Sequence, residues 1–226
     1  MGNADIGQFI LYMVALVFSL SLHEAGHAWM SSRFGDDLAR SQGRVSLNPV
    51  THVDPIGTLL FPAISFFTHA PLLGWARPTP VNPLKWRDKN VANFWVSIAG
   101  VIGNLIIAIV AGIGIRVLLA TGVLGYEGGT LLVGSDSDIV LGAVNLLHIF
   151  FRLNIGLFVF NLLPIPPLDG GKILGSILPS SFESALESLE QFGYILLFIA
   201  VFTGILGPIF GVALRVAESI LFLGLS

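Results

Sequence analysis

The stretch HEAGH, residues 23–27, brings together three side chains that can do chemistry at a metal ion. On a helix, His23 and His27 lie on one face, with Cβ atoms roughly 5–6 Å apart. Both imidazoles can therefore bind one Zn²⁺ ion. Glu24 lies one position round the helix, where it can take a proton from a water molecule at the metal and pass it to a leaving amine. The motif thus supplies two metal ligands and a base.

A third ligand must come from elsewhere, because catalytic zinc sites usually have three protein ligands. Cysteine is excluded, since the chain contains none. Asp169 has the most favourable context, because three prolines of the stretch NLLPIPPLDGG interrupt the helix before it and two glycines follow it. Irregular backbone at membrane depth lies in buried protein or along a wet cavity. The alternative is that Asp169 only caps a helix that starts near Gly171.

Four other polar residues compete for a place near the metal. His52 and Asp54 are candidates for contacting its ligands from outside, and His69 falls in a predicted loop. His148 and Arg152 are four residues apart on a predicted membrane helix, so we expect them to face a polar bundle interior.

Composition places these residues in a membrane protein. Of the 226 residues, 54% are hydrophobic and only 11% are charged, and the mean hydropathy is +0.85. These values are far from soluble averages and predict a polytopic, all-α membrane protein. The net charge of −3 provides no basic field for nucleic acid, which excludes that class of partner.

The apolar stretches predict four to six membrane segments in a single helical domain over residues 1–226. Crossing a bilayer takes roughly 20 apolar helical residues. Four stretches are long enough: 6–32, 91–120, 139–163 and 191–225. Residues 56–73 form either a short span or a re-entrant hairpin, since Pro62 lies inside them. The stretch 191–225 is either one kinked helix or two helices, because Gly207-Pro208 interrupts it.

The positions of the basic residues predict how the chain is oriented. Seven of the eleven lysines and arginines lie from Arg33 to Lys89, whereas the loop 121–138 has none. Because short cytoplasmic loops carry an excess of basic residues, the region from Arg33 to Lys89 is expected on the cytoplasmic side. The HEAGH motif and Asp169 then arrive at the same cytoplasmic depth.

HEAGH in a membrane helix, followed far downstream by NLLPIPPLDGG, resembles the site-2 proteases, a family of intramembrane zinc metalloproteases. The stretches GRVSLNPVTHVDPIGTLLFP and GWARPTPVNP are similar to its compact prokaryotic branch, which lacks a PDZ domain. The resemblance implies that His23, His27 and Asp169 bind one zinc ion and that Glu24 activates water. It also implies hydrolysis of peptide bonds in the transmembrane segments of substrate proteins, in a prokaryotic inner or plasma membrane.

One motif departs from the family pattern. The family commonly has Gly-Pro-x-x-Asn in a central helix, and here AGVIGNL has Val101 in the place of the proline, which puts the local helix geometry in doubt. Gly100 and Asn104 are retained. An asparagine in a lipid-embedded helix needs partners, so Asn104 either approaches the site or ties helices together. Asn161 has the same two interpretations, and as a site residue it would position substrate or stabilise an oxyanion.

Cleavage of a membrane segment requires an extended substrate, because a helical amide is shielded and already hydrogen-bonded. The stretch GRVSLN, residues 43–48, is either a short strand or hairpin that pairs with unwound substrate, or a plain loop.

Two other functions remain open. Intramembrane histidines and carboxylates also line ion pathways, as in a zinc transporter or channel. The chain can also be a proteolytically silent scaffold.

Overall fold

The computed structural model describes residues 3–68, 74–127, 130–134 and 137–224. Its α-helices are α1 (Asn3–Arg33), α2 (Leu38–Ser41), α3 (Phe61–Thr68), α4 (Lys89–Ala120), α5 (Asp138–Leu162), α6 (Asp169–Ile177), α7 (Glu183–Phe202) and α8 (Gly207–Leu221). A π-helix, Pro55–Leu60, runs directly into α3, and short 3-10 helices cover Pro49–Thr51, Pro83–Lys85 and Ser180–Phe182. The strands are β1 (Leu124–Glu127) and β2 (Thr130–Val133).

Helix α4 lies at the centre of the bundle and packs against α1, α5 and α6. It begins after Asp88, whose carboxylate accepts a hydrogen bond from the Val91 N–H at 3.1 Å and so caps the first turn. Small residues let neighbouring helix backbones approach closely inside a membrane. The small buried residues of α4 are Ala92, Ser97, Gly100, Gly103, Ala108, Ala111 and Gly112.

The end of α4 that follows Ala111 belongs to an apolar cluster. Strands β1 and β2 pair antiparallel, with Leu124 opposite Val133. Leu124 turns into the cluster and joins α4, α5 and α8 there. The buried members are Ala111, Ile115, Leu124, Val144, Phe151 and Leu221. This cluster holds the bundle together at one end, and the polar residues of HEAGH lie against the other half of α4.

Four of the described helices are long and apolar enough to cross a membrane: Ile6–Arg33, Lys89–Ala120, Asp138–Leu162 and Ser184–Phe202. This confirms the all-α, multi-pass architecture. The first three spans agree closely with the predicted stretches, and the fourth begins before the expected residue 191.

The segment from Pro55 to Thr68 returns to the side from which it started. It is shorter than the roughly 20 residues needed to cross a bilayer. The Trp75 N–H donates to the Gly57 carbonyl at 3.1 Å, so the chain is back beside the first turn of the segment. This contact favours a re-entrant hairpin over a span. Residues 69–73, the end of the predicted segment, lie outside the described residues.

The predicted break near Gly207 separates two helices, α7 and α8. The turn between them contains Gly204 at φ +71°, a left-handed conformation that glycine adopts without steric cost. Pro208 lies in the first turn of α8, where its fixed φ suits the helix and its missing N–H breaks no hydrogen bond.

The described structure has bends and no strand over residues 43–48, so GRVSLN is a plain loop. Local hydrogen bonds explain this result, because they compete with strand pairing. The Ser46 carbonyl contacts His52 Nε2 at 2.8 Å, and Ser46 Oγ accepts from the Asn48 N–H at 3.0 Å. The hairpin is formed instead by β1 and β2, at the other end of α4.

Close packing of α1 on α4 depends on Gly26. A Cβ atom at Gly26 would lie 2.8 Å from the Ala99 carbonyl oxygen, so Gly26→Ala forces the two helices apart. We expect a loss of about 1–3 kcal/mol in the free energy of unfolding. Gly7→Ala is the matched control on the same helix, because nothing lies within 4 Å of its added Cβ. Thermal denaturation in detergent micelles measures both, and equal stability of the two variants would contradict this packing.

Candidate metal centre

Three side-chain atoms from two distant parts of the chain converge beside α4. Nε2 of His23 and Nε2 of His27 are 2.9 Å apart. Oδ2 of Asp169 lies 3.1 Å from the first of these atoms and 3.2 Å from the second. All three side chains are buried. The structure therefore brings together the three residues that the sequence singled out as metal ligands.

The outer nitrogen of each imidazole is already engaged. Nδ1 of His23 faces Oδ1 of Asn104 at 2.7 Å, and Nδ1 of His27 faces the Val96 carbonyl oxygen at 2.7 Å. Because both partners are hydrogen-bond acceptors, each Nδ1 must carry the proton. In its neutral form each imidazole then presents an unprotonated Nε2 to the centre of the cluster, as metal-ligating histidines do.

The cluster fits a tetrahedral metal ion. Two nitrogen lone pairs and a carboxylate oxygen face one another, and Oδ2 of Asp169 is buried without a hydrogen-bond partner among the described residues. Such an arrangement repels itself unless a cation lies between the three atoms. Ligands at 2.0–2.1 Å from a tetrahedral ion are about 3.3 Å apart, close to the separations found here.

Asp169 is the first residue of α6. Its N-cap residue is Leu168, and no side chain caps the helix, so the capping alternative for Asp169 receives no support. As a carboxylate, Asp169 can supply one oxygen to a metal ion. Its Oδ1 also contacts Lys172 Nζ at 3.2 Å.

Glu24 is close to the imidazoles but is held by a different partner. One ligand atom from each of His23, Glu24 and His27 lies within 4.8 Å of the others. Oε2 of Glu24 accepts a hydrogen bond from the Thr79 N–H at 2.8 Å. No described residue donates to Oε1, and Glu24 lines a large cavity. Asp169 is nearer to both imidazoles, so Glu24 is better placed to act on a water molecule than to bind the metal.

The segment 75–79, which we call the strap, holds Glu24 in place. The Thr79 hydroxyl also donates to the Glu24 carbonyl at 3.0 Å. Nη2 of Arg44 donates to the carbonyls of Arg77 and Pro78 at 2.8 and 2.6 Å. Because Pro78 lacks an N–H, the strap depends on side chains such as Arg44 for hydrogen bonds.

Arg44 is itself unusual, since it is a buried cation beside the site. Burial and the nearby Arg77 lower the pKa of Arg44, while Glu24 raises it. The guanidinium remains charged, because arginine does not lose its proton in proteins. Nη1 is buried without a hydrogen-bond partner in the described structure. Arg44 therefore contributes positive charge next to Glu24 as well as support for the strap.

Asn104 approaches the site and also ties helices together, so both interpretations from the sequence apply to it. It is fully buried and contacts His23 and Asn154. Helix α4 continues without a break through Val101, so the helix is regular at the position where the family commonly has a proline. Gly100 gives the imidazoles room, because an added Cβ would overlap with His27 Cε1.

The other candidates that the structure describes make no hydrogen bond with the three converging atoms. Asn161 lines the cavity and donates to the Leu157 carbonyl at 3.0 Å. His52 is buried, and its carbonyl accepts from the Arg77 N–H, so it supports the strap. Asp54 caps the π-helix through the N–H groups of Ile56 and Gly57. His148 and Arg152 both line the cavity, as expected for a polar interior. His69 lies outside the described residues.

The sequence did not point to Asn154, Thr79 or Arg44. For Asn154 a signal existed, since an asparagine in an apolar helix is costly and needs partners. For Thr79 and Arg44 there was none, because both lie in irregular segments whose contacts depend on the folded chain.

His23, His27 and Asp169 line a cavity of about 1840 Å³. This volume exceeds the roughly 300–1,000 Å³ of small-molecule pockets. Along α1 the cavity reaches from Tyr12 to His27, which is about 22 Å at 1.5 Å per residue. Its other walls come from α5, α7, α8 and the strap. A cavity of this length is long enough to hold a segment of polypeptide.

Fold and site together define a multi-pass membrane metallopeptidase. Residues 11–207 match the model of "Peptidase family M50". The chain belongs to this family, which agrees with the resemblance to the site-2 proteases.

Curated relatives support this assignment. The chain is 37% identical over 195 residues to "Putative zinc metalloprotease YwhC" of Bacillus subtilis, covering 86% of this chain and 81% of the relative. It is 28% identical over 201 residues to "Putative zinc metalloprotease Rip2" of Mycolicibacterium smegmatis, covering 88% and 69%. It is 31% identical over 197 residues to the protein of the same name in Mycobacterium tuberculosis H37Rv, covering 87% and 68%. The comparison with solved structures gave no match.

The strap predicts an effect of Arg44 on peptidase activity. Arg44→Ala leaves the carbonyls of Arg77 and Pro78 without their donor, which destabilises the strap by about 1–3 kcal/mol. We expect slower peptide cleavage, because Thr79 no longer holds Glu24 firmly. Arg40→Ala is the control, since the Arg40 side chain is 58% exposed and pairs only loosely with Asp37 at 3.8 Å. Cleavage rates and thermal unfolding are measured for both, and unchanged cleavage in a folded Arg44→Ala protein would contradict the role of the strap.

Proposed function

We propose that this chain is an intramembrane zinc metalloprotease that cleaves peptide bonds in the transmembrane segments of other proteins. In this proposal His23, His27 and Asp169 hold one Zn²⁺ ion, and Glu24 is the general base. The observation that carries the proposal is the convergence of three ligand atoms within 3.2 Å of one another, next to Glu24 and inside a bundle of apolar helices. Two imidazoles and one carboxylate are a donor set of catalytic zinc proteases.

Zinc, when bound, polarises the scissile carbonyl and lowers the pKa of water to roughly 7. The free oxygen of Glu24, Oε1, takes the proton of the attacking water and later delivers it to the leaving amine. The Thr79 N–H fixes the other carboxylate oxygen, so that Glu24 keeps one orientation through both transfers. Asn161, on the cavity wall, is placed to contact the substrate backbone.

The substrate enters from the lipid in this proposal, beside α7. In the most apolar window of α7 only 6% of the residues are buried, compared with 44% in α4. A helix with so few buried contacts moves at little free-energy cost. Access along α7 supports a membrane segment as the substrate. The basic residues from Arg33 to Lys89 support a site on the cytoplasmic side of a prokaryotic plasma membrane.

The role of Glu24 is tested with Glu24→Gln protein and a transmembrane reporter in proteoliposomes. We expect cleavage to fall by about 10²–10⁴-fold, because the amide cannot accept the proton. Zinc content should stay at one per chain, since Glu24 is not a ligand. Glu127→Gln is the control, because Glu127 is an exposed carboxylate in the hairpin at the other end of α4. Full cleavage by zinc-loaded Glu24→Gln protein would refute the assigned base.

Metal removal tests the cofactor and separates a protease from a transporter. Treatment with a zinc chelator should abolish reporter cleavage, and added Zn²⁺ should restore it, because in this proposal the zinc ion polarises the scissile carbonyl. Asp169→Ala protein should lose zinc on dialysis, since one of three ligands is gone. Cleavage by the metal-free protein would contradict a metalloprotease. Zinc flux into the same proteoliposomes, without cleavage, would favour a transporter.

A further inference from the structure

A chain of buried hydrogen bonds runs from His23 across three helices. Asn104 on α4 and Asn154 on α5 are both fully buried, and so is Ser19 on α1. Nδ2 of Asn104 donates to Oδ1 of Asn154 at 3.0 Å, and Nδ2 of Asn154 donates to Ser19 Oγ at 2.8 Å. No catalytic step uses Asn154 or Ser19. Three buried polar groups in apolar helices nevertheless require a reason, because each is costly without partners.

At the Asn154 end of this series of hydrogen bonds, the contacts fix which atom donates and which atom accepts. Nδ2 of Asn154 also donates to the Phe150 carbonyl at 2.8 Å, and the Ser19 hydroxyl donates to the Ala15 carbonyl at 2.6 Å. A carbonyl oxygen can only accept a hydrogen bond, so the group facing Phe150 must be the amide nitrogen of Asn154. The Ser19 oxygen must then accept from Asn154, since its own proton is already used.

The orientation of the Asn154 carboxamide determines that of Asn104, which contacts His23. With Nδ2 of Asn154 held by Phe150, its Oδ1 faces Asn104 and accepts from Nδ2 of that residue. Oδ1 of Asn104 is left to face His23 Nδ1 at 2.7 Å. An oxygen at this position requires a proton on His23 Nδ1 and leaves the lone pair on Nε2, which is the atom directed towards Asp169.

The two histidines differ in the partner of Nδ1, and this difference explains why His23 needs further hydrogen bonds behind it. Nδ1 of His27 faces the backbone carbonyl of Val96, which cannot be reversed. Nδ1 of His23 faces a side-chain carboxamide, which can rotate and present its NH₂ group instead. A rotated Asn104 would donate to His23 Nδ1 and move the imidazole proton to Nε2, where it blocks metal binding. Two contacts of Asn104 Nδ2 oppose that rotation: a hydrogen bond to Oδ1 of Asn154 at 3.0 Å and a longer one to the Ser19 carbonyl at 3.5 Å. The shorter contact with Asn154 is the stronger restraint.

We propose that Asn154 is a positioning residue, which fixes the orientation of the Asn104 carboxamide and through it the tautomer of His23. The carbonyl of Phe150 is the anchor, and Ser19 adds a second, weaker restraint. The inference rests on the proposed zinc site, although the tautomer of His23 can be measured without any metal. Loss of an outer partner of a metal-binding histidine typically weakens metal affinity 10–100-fold.

The test uses Asn154→Leu, which keeps the size of the side chain and removes both hydrogen-bonding groups. We expect zinc affinity to fall about tenfold or more in a competition titration with a chelating dye. In the metal-free protein, ¹⁵N NMR of labelled histidine should show His23 protonated at Nδ1 in the wild type and a mixture of tautomers in the variant. His27 should keep its tautomer in both, because the Val96 carbonyl still holds it.

Two further variants distinguish the orientation of the Asn104 carboxamide from a general effect of side-chain packing. Ser19→Ala removes a buried hydroxyl from the same chain but leaves the Phe150 anchor, so zinc affinity should stay within about threefold of the wild type. Asn154→Ser retains a small polar group that both donates and accepts, so it should weaken zinc binding even if the leucine variant fails to fold. Wild-type affinity and a single His23 tautomer in a folded Asn154 variant would overturn the proposal, and so would equal losses in Ser19→Ala and Asn154→Ser.

These outcomes are distinct from failure of the proposed function. If the wild-type protein binds zinc but never cleaves a membrane reporter, the protease assignment fails and the zinc titrations still decide the role of Asn154. If the wild-type protein cleaves the reporter and the Asn154 variants bind zinc normally, only the positioning role fails.

Discussion

Mutual repulsion among three ligand atoms is the constraint on which the site depends. Nε2 of His23, Nε2 of His27 and Oδ2 of Asp169 approach within 3.2 Å of one another, away from water. Two lone pairs and an anionic oxygen at such distances are unfavourable in a low-dielectric interior. A divalent cation converts this repulsion into attraction. The bundle must therefore hold the three groups together against repulsion whenever the ion is absent, which calls for a rigid support.

Helix α4 provides that support, although it contributes no metal ligand. Its Gly100 leaves space for the imidazoles, its Val96 carbonyl orients His27, and its Asn104 orients His23. The small residues around these positions let α1 lie close to α4, so the hydrogen bonds stay short. At its other end α4 joins the apolar cluster with α5, α8 and the hairpin, where packing alone is sufficient.

The membrane explains why the buried amide and hydroxyl groups behind His23 are paired with one another. An unpaired amide or hydroxyl in hydrocarbon costs several kcal/mol, so Asn104, Asn154 and Ser19 satisfy one another. The strap also needs hydrogen-bond partners, since Pro78 has no N–H to donate and Arg44 supplies hydrogen bonds to the carbonyls of Arg77 and Pro78. The bundle is more open beside α7, where only 6% of the most apolar window is buried.

From the amino-acid sequence one could derive the membrane spans, the metal chemistry of HEAGH and the candidacy of Asp169, because helical periodicity and the cost of buried charge are local properties. The sequence left several choices open, and the fold decided them: the re-entrant segment after Pro55, the two helices around Gly204 and the plain loop at GRVSLN. The direction of the hydrogen bonds through Asn154 is visible only in the tertiary structure. It depends on which atoms of α1, α4 and α5 face one another, and residues 50 to 135 positions apart in the chain carry no local signal of that contact.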